Sequence, residues 1–176
     1  METTRMFFAG TGGQGALLMG QMISLSAMYE DKATTFFPSY GPEMRGGTAN
    51  CTVVVSSKSV GCPIIYQSDV VVAMNLPSML KFEPTLATGG MMFLNESIIH
   101  QPHKRDDITV FKIPANEIAN ELGNPKVANM VLLGAVIRKS GVVGAPTIER
   151  VIREFFGKKS EKLAEINIRA YNHWQQ

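Results

Sequence analysis

Arg5-Met6-Phe7-Phe8-Ala9-Gly10-Thr11-Gly12-Gly13-Gln14-Gly15-Ala16-Leu17-Leu18 is the stretch whose reading decides the fold. Residues 5–9 form a short apolar run that stops at glycines, the pattern of a buried strand. Residues 16–28 read as a helix in which Leu17, Leu18, Met22 and Leu25 can share one side. Between them, Gly10-Thr11-Gly12-Gly13-Gln14-Gly15 satisfies G-x-G-x-x-G in the strand-to-helix context that gives this motif meaning. Glycine permits positive φ and close backbone approach. The first N–H groups of the following helix lack intrahelical partners, and with the helix dipole they suit an anion such as a phosphate.

Three readings of this turn stand side by side. It can hold an anion, it can be a tight turn with no ligand, or it can open a dinucleotide site. The last needs an acid at the end of the second strand. Glu30 and Asp31 precede that strand, and its far end is Phe37-Pro38-Ser39 with no acid.

Working outward, residues 32–37 read as the second strand, and residues 48–56, rich in β-branched side chains, as another. Residues 57–60 would turn the chain and residues 61–66 return it, so 48–66 is a candidate antiparallel hairpin. Residues 69–74 form a continuous apolar run typical of a strand buried on both faces. Asn75 can cap the next helix, with Pro77 in its first turn. Further strands are expected at 91–94, after Gly89-Gly90, and at 107–113. Helices follow over 115–122, 125–139, from Thr147 to Phe156, and from Ser160 to about Trp174. This order predicts one α/β domain over 1–176 with a mainly parallel, helix-covered sheet and a Rossmann-like start.

Between the second and third strands, Pro38-Ser39-Tyr40-Gly41-Pro42-Glu43-Met44-Arg45-Gly46-Gly47 reads as a loop. Arg45 can grip a phosphate or carboxylate in bidentate fashion, and Gly46 and Gly47 would let a ligand or another chain come close. Glu43 can pair with Arg45 or accept hydrogen bonds from a partner. An exposed loop with a local Glu–Arg pair is the competing reading. The candidate binding residues are therefore Gly10, Thr11, Gly12, Gly13, Gln14 and Gly15 in the first segment, with Ser39, Tyr40, Gly41, Glu43, Arg45, Gly46 and Gly47 in the second. No catalytic or metal-ligating residue can be assembled from spacing. His100 and His103 flank Gln101-Pro102 without a third ligand nearby.

Composition narrows the class. Of the 176 residues 45% are hydrophobic and 18% charged, and the formal net charge is +2. There is no basic stripe for nucleic acid and no apolar run long enough to span a membrane. The start of the chain lacks signal-peptide character, so a cytoplasmic location is expected. Cys51 and Cys62 then fit as reduced thiols, and two cysteines cannot hold a four-thiolate cluster within one chain.

The two glycine-rich segments together, the second running on through Thr48-Ala49-Asn50-Cys51, resemble the gamma subunit of 2-oxoacid:ferredoxin oxidoreductases. Ala73-Met74-Asn75-Leu76-Pro77-Ser78-Met79-Leu80-Lys81-Phe82 continues the likeness, and Gly89-Gly90 falls at the family's glycine turn. The Asn-x-Pro-Ser-x-x-Lys-Phe variant is most similar to the 2-oxoglutarate branch, with the pyruvate and branched-chain branches close. The resemblance implies a complex that converts a 2-oxoacid and coenzyme A to acyl-CoA and CO₂, passing electrons to ferredoxin or a similar acceptor. It implies alpha, beta and ferredoxin-like delta subunits as partners, which carry thiamine diphosphate and the iron–sulfur clusters. It leaves this chain with no cofactor of its own and a share in binding coenzyme A at the two glycine-rich segments. A purely structural subunit and a free-standing nucleotide-binding or sensor protein are the other classes the sequence admits.

Overall fold

The computed structural model describes residues 2–40 and 47–174. Its order is β1 (Thr3–Thr11), α1 (Ala16–Tyr29), β2 (Ala33–Tyr40), β3 (Thr48–Ser56), β4 (Ser68–Ala73), α2 (Leu76–Phe82), β5 (Leu86–Asn95), β6 (Thr109–Ile113), α3 (Ala115–Glu121), α4 (Ala128–Ser140), α5 (Ala145–Gly157) and α6 (Glu161–His173). The strands form one sheet in the order β2-β3-β1-β4-β5-β6. The pairs β1/β4, β4/β5 and β5/β6 are parallel. β3 runs antiparallel to both β1 and β2.

The antiparallel element is real but sits elsewhere than the sequence reading put it. β3 pairs with the strand before it, β2, rather than with residues 61–66, which form no strand. That later segment crosses the sheet instead, its Pro63 carbonyl accepting from the Thr52 hydroxyl at 3.4 Å. A second correction concerns Pro38, Ser39 and Tyr40, which belong to β2 rather than to the loop. β2 is the outer strand, so Pro38 has an edge where its missing N–H is tolerated. α5 starts at Ala145 behind an extended Gly144, two residues before the expected Thr147 cap.

The sheet divides the core. On one face Met6, Phe8, Cys51, Val53, Val70, Val72 and Phe93 pack against α1 and α3 to α6. On the other, Phe7, Ala9, Val71, Ala73, Met92 and Leu94 pack against Met79 and Phe82 of α2, with Ile99 and Ile65 from irregular segments. α1 buries Met19, Met22, Ile23 and Ala27, while Leu17, Leu18 and Leu25 are only half-buried. The expected stripe was displaced because this helix is apolar on nearly every side, and periodicity then does not name the buried one.

Two glycines set how closely the layers approach. A Cβ on Gly20 would lie 2.5 Å from Cys51 Sγ and 3.0 Å from Val53 Cγ2, so α1 rests directly on β3. A Cβ on Gly134 would lie 2.0 Å from the Tyr171 carbonyl oxygen, which lets α4 and α6 touch backbone to backbone. Arg138 closes that contact, donating to the Tyr171 carbonyl at 2.8 Å and to Asn172 Oδ1 at 2.9 Å. Trp174 tucks its ring edge-on against Phe111 of β6, centroids 6.3 Å apart.

Candidate functional site

β1 and β4 lie side by side and parallel, but their exits diverge. β1 turns into α1 on one face of the sheet, and β4 turns into α2 on the other. Ligands of open α/β sheets gather in the crevice such a divergence leaves beyond the strand carboxyl ends. A cleft of about 260 Å³ opens there, lined by Gly10, Thr11, Thr48, Asn50, Asn75, Pro77, Ser78 and Lys81 around Ala9 and Phe82.

Gly10 and Thr11 form one wall of this cleft, and the glycine segment they open forms the strand-to-helix turn the sequence predicts. Its geometry explains its residues one by one. Gly13 and Gly15 have φ of +93° and +81°, a region that favours glycine. A Cβ on Gly10 would sit 2.8 Å from Gln14 Oε1, so Gly10 makes room for the Gln14 side chain to fold back over the turn. Gln14 Oε1 then accepts from the Thr11 N–H at 2.8 Å and from Asn75 Nδ2 at 2.8 Å. Asn75 in turn caps α2, its Oδ1 accepting from the Ser78 N–H at 3.0 Å. One run of hydrogen bonds thus fixes the turn after β1 to the helix after β4.

The second segment reaches the same place. The Gly12 N–H donates to the Gly47 carbonyl at 3.0 Å. Ser39 pairs with Asn50, and Tyr40 with Ala49, at the end of β2 nearest the cleft. Gly10 to Gly15, Ser39 and Gly47 are therefore gathered at one edge of the sheet. The candidates Gly41, Glu43, Arg45 and Gly46 lie outside the described residues.

The donors left for a ligand differ from those the motif alone suggests. The N–H groups of Thr11 and Gly12 are engaged internally. No side chain caps α1, so its first-turn N–H groups remain as the turn's donors. Lys81 adds a cation from the opposite wall of the cleft. Its ammonium stands 5.2 Å from the centre of the Phe82 ring. Asn50, Asn75, Ser78 and Lys81 were not among the sequence candidates. For the last three the signal was the spacing 75, 78 and 81, one residue per helical turn, which reads as helix and cap until the helix is placed beside Gly10.

On the far side of the turn a second cleft, about 200 Å³, is lined by Gly13, Gln14, Asn116, Lys126 and Asn129 among others. The Asn129 carboxamide donates to the Gly15 carbonyl at 3.4 Å. A larger cavity, about 420 Å³, is elsewhere: Thr3, Arg5, Ser56, Cys62 and Tyr66 line it at the amino end of β1. Volume favours that cavity, but neither glycine-rich segment nor any helix start reaches it, so the candidate site is placed at the carboxyl edge.

The thiols are far apart in character. Cys51 is buried on β3 beneath α1, and burial pushes its thiol up to about 12. Cys62 is exposed in the segment crossing the other face. One cluster could not be ligated by both. Among the described residues no group of three His, Cys, Asp or Glu side chains could hold a metal ion. No helix among them is long and apolar enough to cross a membrane.

Comparison with known proteins agrees with this architecture. The profile of the pyruvate ferredoxin/flavodoxin oxidoreductase family matches residues 5–173. The ketoisovalerate oxidoreductase subunit VorA of Methanothermobacter marburgensis is 37% identical over 167 residues, covering 94% of this chain and 34% of that one. The chain thus spans about a third of the length of that relative. The 2-oxoglutarate synthase subunit KorC of Methanocaldococcus jannaschii is 32% identical, with 88% of this chain and 84% of that one covered. Among solved structures, the 2-oxoglutarate:ferredoxin oxidoreductase of Magnetococcus marinus, with 2-oxoglutarate, coenzyme A and succinyl-CoA bound, superposes with a TM-score of 0.90 at 24% identity. It covers 98% of this chain and 30% of its own, and at that identity the likeness is one of fold.

Proposed function

The chain belongs to the pyruvate ferredoxin/flavodoxin oxidoreductase family, and from that membership we propose that it serves as the gamma-type subunit of a 2-oxoacid:ferredoxin oxidoreductase. In this reading the assembled enzyme decarboxylates a 2-oxoacid oxidatively, 2-oxoglutarate first among the candidates, and transfers the acyl group to coenzyme A. Electrons leave to ferredoxin or a similar acceptor. Alpha, beta and ferredoxin-like delta chains are the partners. Thiamine diphosphate and the iron–sulfur clusters belong to them, and thiamine diphosphate supplies the stabilised carbanion on which the oxidation depends.

This chain's part is to help hold coenzyme A. The observation that carries this is the cleft between β1 and β4, where the backbone of Gly10 and Thr11 and the side chains of Asn50, Ser78 and Lys81 line a cavity of about 260 Å³. A phosphate-rich, nucleotide-bearing ligand needs hydrogen-bond donors and cations, which the Asn50 carboxamide, the Ser78 hydroxyl and the Lys81 ammonium can supply here. Arg45 is proposed to grip an anionic group of the ligand in bidentate fashion. The 2-oxoacid itself is assigned mainly to the partner chains.

The test is a coenzyme A titration of the assembled enzyme, wild type against Arg45→Ala. The expected result is a KM for coenzyme A raised by about tenfold or more, as for a lost charge-assisted hydrogen bond, with the KM for the 2-oxoacid little changed. Normal coenzyme A kinetics with poor assembly would instead favour a structural role for both glycine-rich segments.

A further inference from the structure

The two faces of the sheet are covered unequally. α1 and α3 to α6 cover one completely. The other carries only α2, seven residues long, and irregular segments including residues 57–67. In predominantly parallel sheets both faces are ordinarily buried. The side chains on this thin face match the shortage of cover. Tyr66 is 89% exposed, Ile64 55% and Phe37 50%, and Leu80 looks outward from α2 at 45%. Phe37 stands beside Thr52, whose hydroxyl reaches the Phe37 and Pro63 carbonyls, so β2 and the crossing segment present one continuous strip.

The charges on the two faces differ as well. At the thin face Arg5 is paired with Asp69 at 3.1 Å. The outer side of α5 and α6 is instead a mixed charged surface, exposing Arg150, Arg153, Glu161, Lys162, Glu165 and Arg169. The first is predominantly apolar, with Lys81 at the cleft as its exposed cation, as a protein interface beside a ligand site requires; the second is a solvated helix surface. Relative length says what occupies the face. The VorA chain of Methanothermobacter marburgensis holds a counterpart of nearly all of this chain in about a third of its length, so the other two thirds are available to pack against that counterpart within one polypeptide.

We propose that the sheet face bearing Phe37, Ile64, Tyr66 and Leu80 docks a separate partner chain equivalent to the remaining two thirds of VorA. The proposal rests on the subunit reading above and goes beyond it by fixing the surface. It also has a consequence for the site. Thr48, Asn50, Ser78 and Lys81 open the 260 Å³ cleft toward this same face, so the docked chain forms the roof of the cleft. The coenzyme A site is completed at the interface.

The experiment uses the complex as it forms in cells, isolated through a tag on this chain, with the partner identified by mass spectrometry as matching that VorA region. Tyr66→Asp combined with Ile64→Asp is expected to lower the co-eluting partner at least tenfold while the chain keeps its melting temperature. Met28→Asp, equally exposed but on the helix-covered side, is expected to leave it unchanged. A benzoylphenylalanine photo-crosslinker in place of Tyr66 should join the partner, and one in place of Met28 should not, which settles the face even if a charged variant folds poorly. Wild-type co-elution by the double variant, or crosslinking from position 28 alone, overturns the face. Wild-type chain that brings down no such partner overturns the subunit reading itself.

Discussion

Asn75 donates from Nδ2 to Gln14 Oε1 at 2.8 Å while its own Oδ1 caps α2. One carboxamide therefore ties the turn after β1 to the helix after β4, across the gap in which the candidate cleft lies. Replacing Asn75 by Ala removes both bonds and is expected to cost about 1–3 kcal/mol in urea unfolding, the sum of a lost cap and an unsatisfied partner. Asn75→Asp keeps the capping oxygen but loses the donor to Gln14, so it should fall between Ala and wild type. Equal stabilities for Asp and Ala would show that the link to Gln14 contributes nothing.

Gly134 marks a tight point in the fold. Its would-be Cβ lies 2.0 Å from the Tyr171 carbonyl, a backbone atom that cannot move without shifting α6. Gly134→Ala is expected to destabilise by about 1–3 kcal/mol or more as overpacking, despite alanine's better helix propensity. Thermal denaturation should show the fall. A gain in melting temperature would mean that α4 and α6 separate freely.

The alternation of strands and helices was legible in the sequence because buried strands such as residues 69–74 and caps such as Asn75 are written locally. The partner of β3 was not. Residues 48–56 are compatible with a hairpin on either side, and only the pairing of Thr3 through Thr11 with Ser56 through Thr48 determines that β3 lies between β1 and β2. The glycine motif was legible at once, yet the roles of its members depend on Asn75 and Asn129, which lie 61 and 114 residues from their partners Gln14 and Gly15. Lys81 was quoted as part of a resemblance but not as a cleft residue, since a lysine at a helix end is ordinarily solvated.

Arg105 and Asp107 give the fold an acid sensitivity. The Arg105 guanidinium, helped by Thr88, holds the exposed Asp107 carboxyl down to about 2. A depressed carboxyl contributes its stability above the unfolded-state value and loses it as the pH falls through the folded one. The contribution should therefore be intact above about pH 4 and gone near pH 2. Asp107→Asn is expected to flatten the stability profile in that window and leave it unchanged at neutral pH in slope. An identical acid slope in the variant would remove the pair from the account.

The thiols should separate cleanly. With Cys51 buried and its thiol near 12, almost no thiolate exists at pH 8, whereas Cys62 is exposed. An aromatic disulfide reagent at pH 8 is expected to titrate one thiol per native chain and the second only after unfolding. Cys62→Ser should abolish the native reaction. Fast reaction of that variant would mean that α1 lifts from β3 in the native state.

Lys81 offers the most direct probe of the cleft, because it is the only cation among the described residues that line it. The turn's Thr11 and Gly12 N–H groups are engaged within the protein, so an anionic ligand there must draw on side chains. In the assembled enzyme, Lys81→Ala is expected to raise the KM for coenzyme A by about tenfold, equivalent to about 1.4 kcal/mol, the lower range for a hydrogen bond to a charged group. Lys81→Arg keeps the charge and should recover most of the loss. Exposed charges are screened by salt, so the gap between Ala and wild type should narrow as ionic strength rises. A structural role for α2 would move the KM of the 2-oxoacid and the yield of complex together. The ligand role moves coenzyme A alone, and a charge-insensitive effect in which Arg fails to rescue would rule it out.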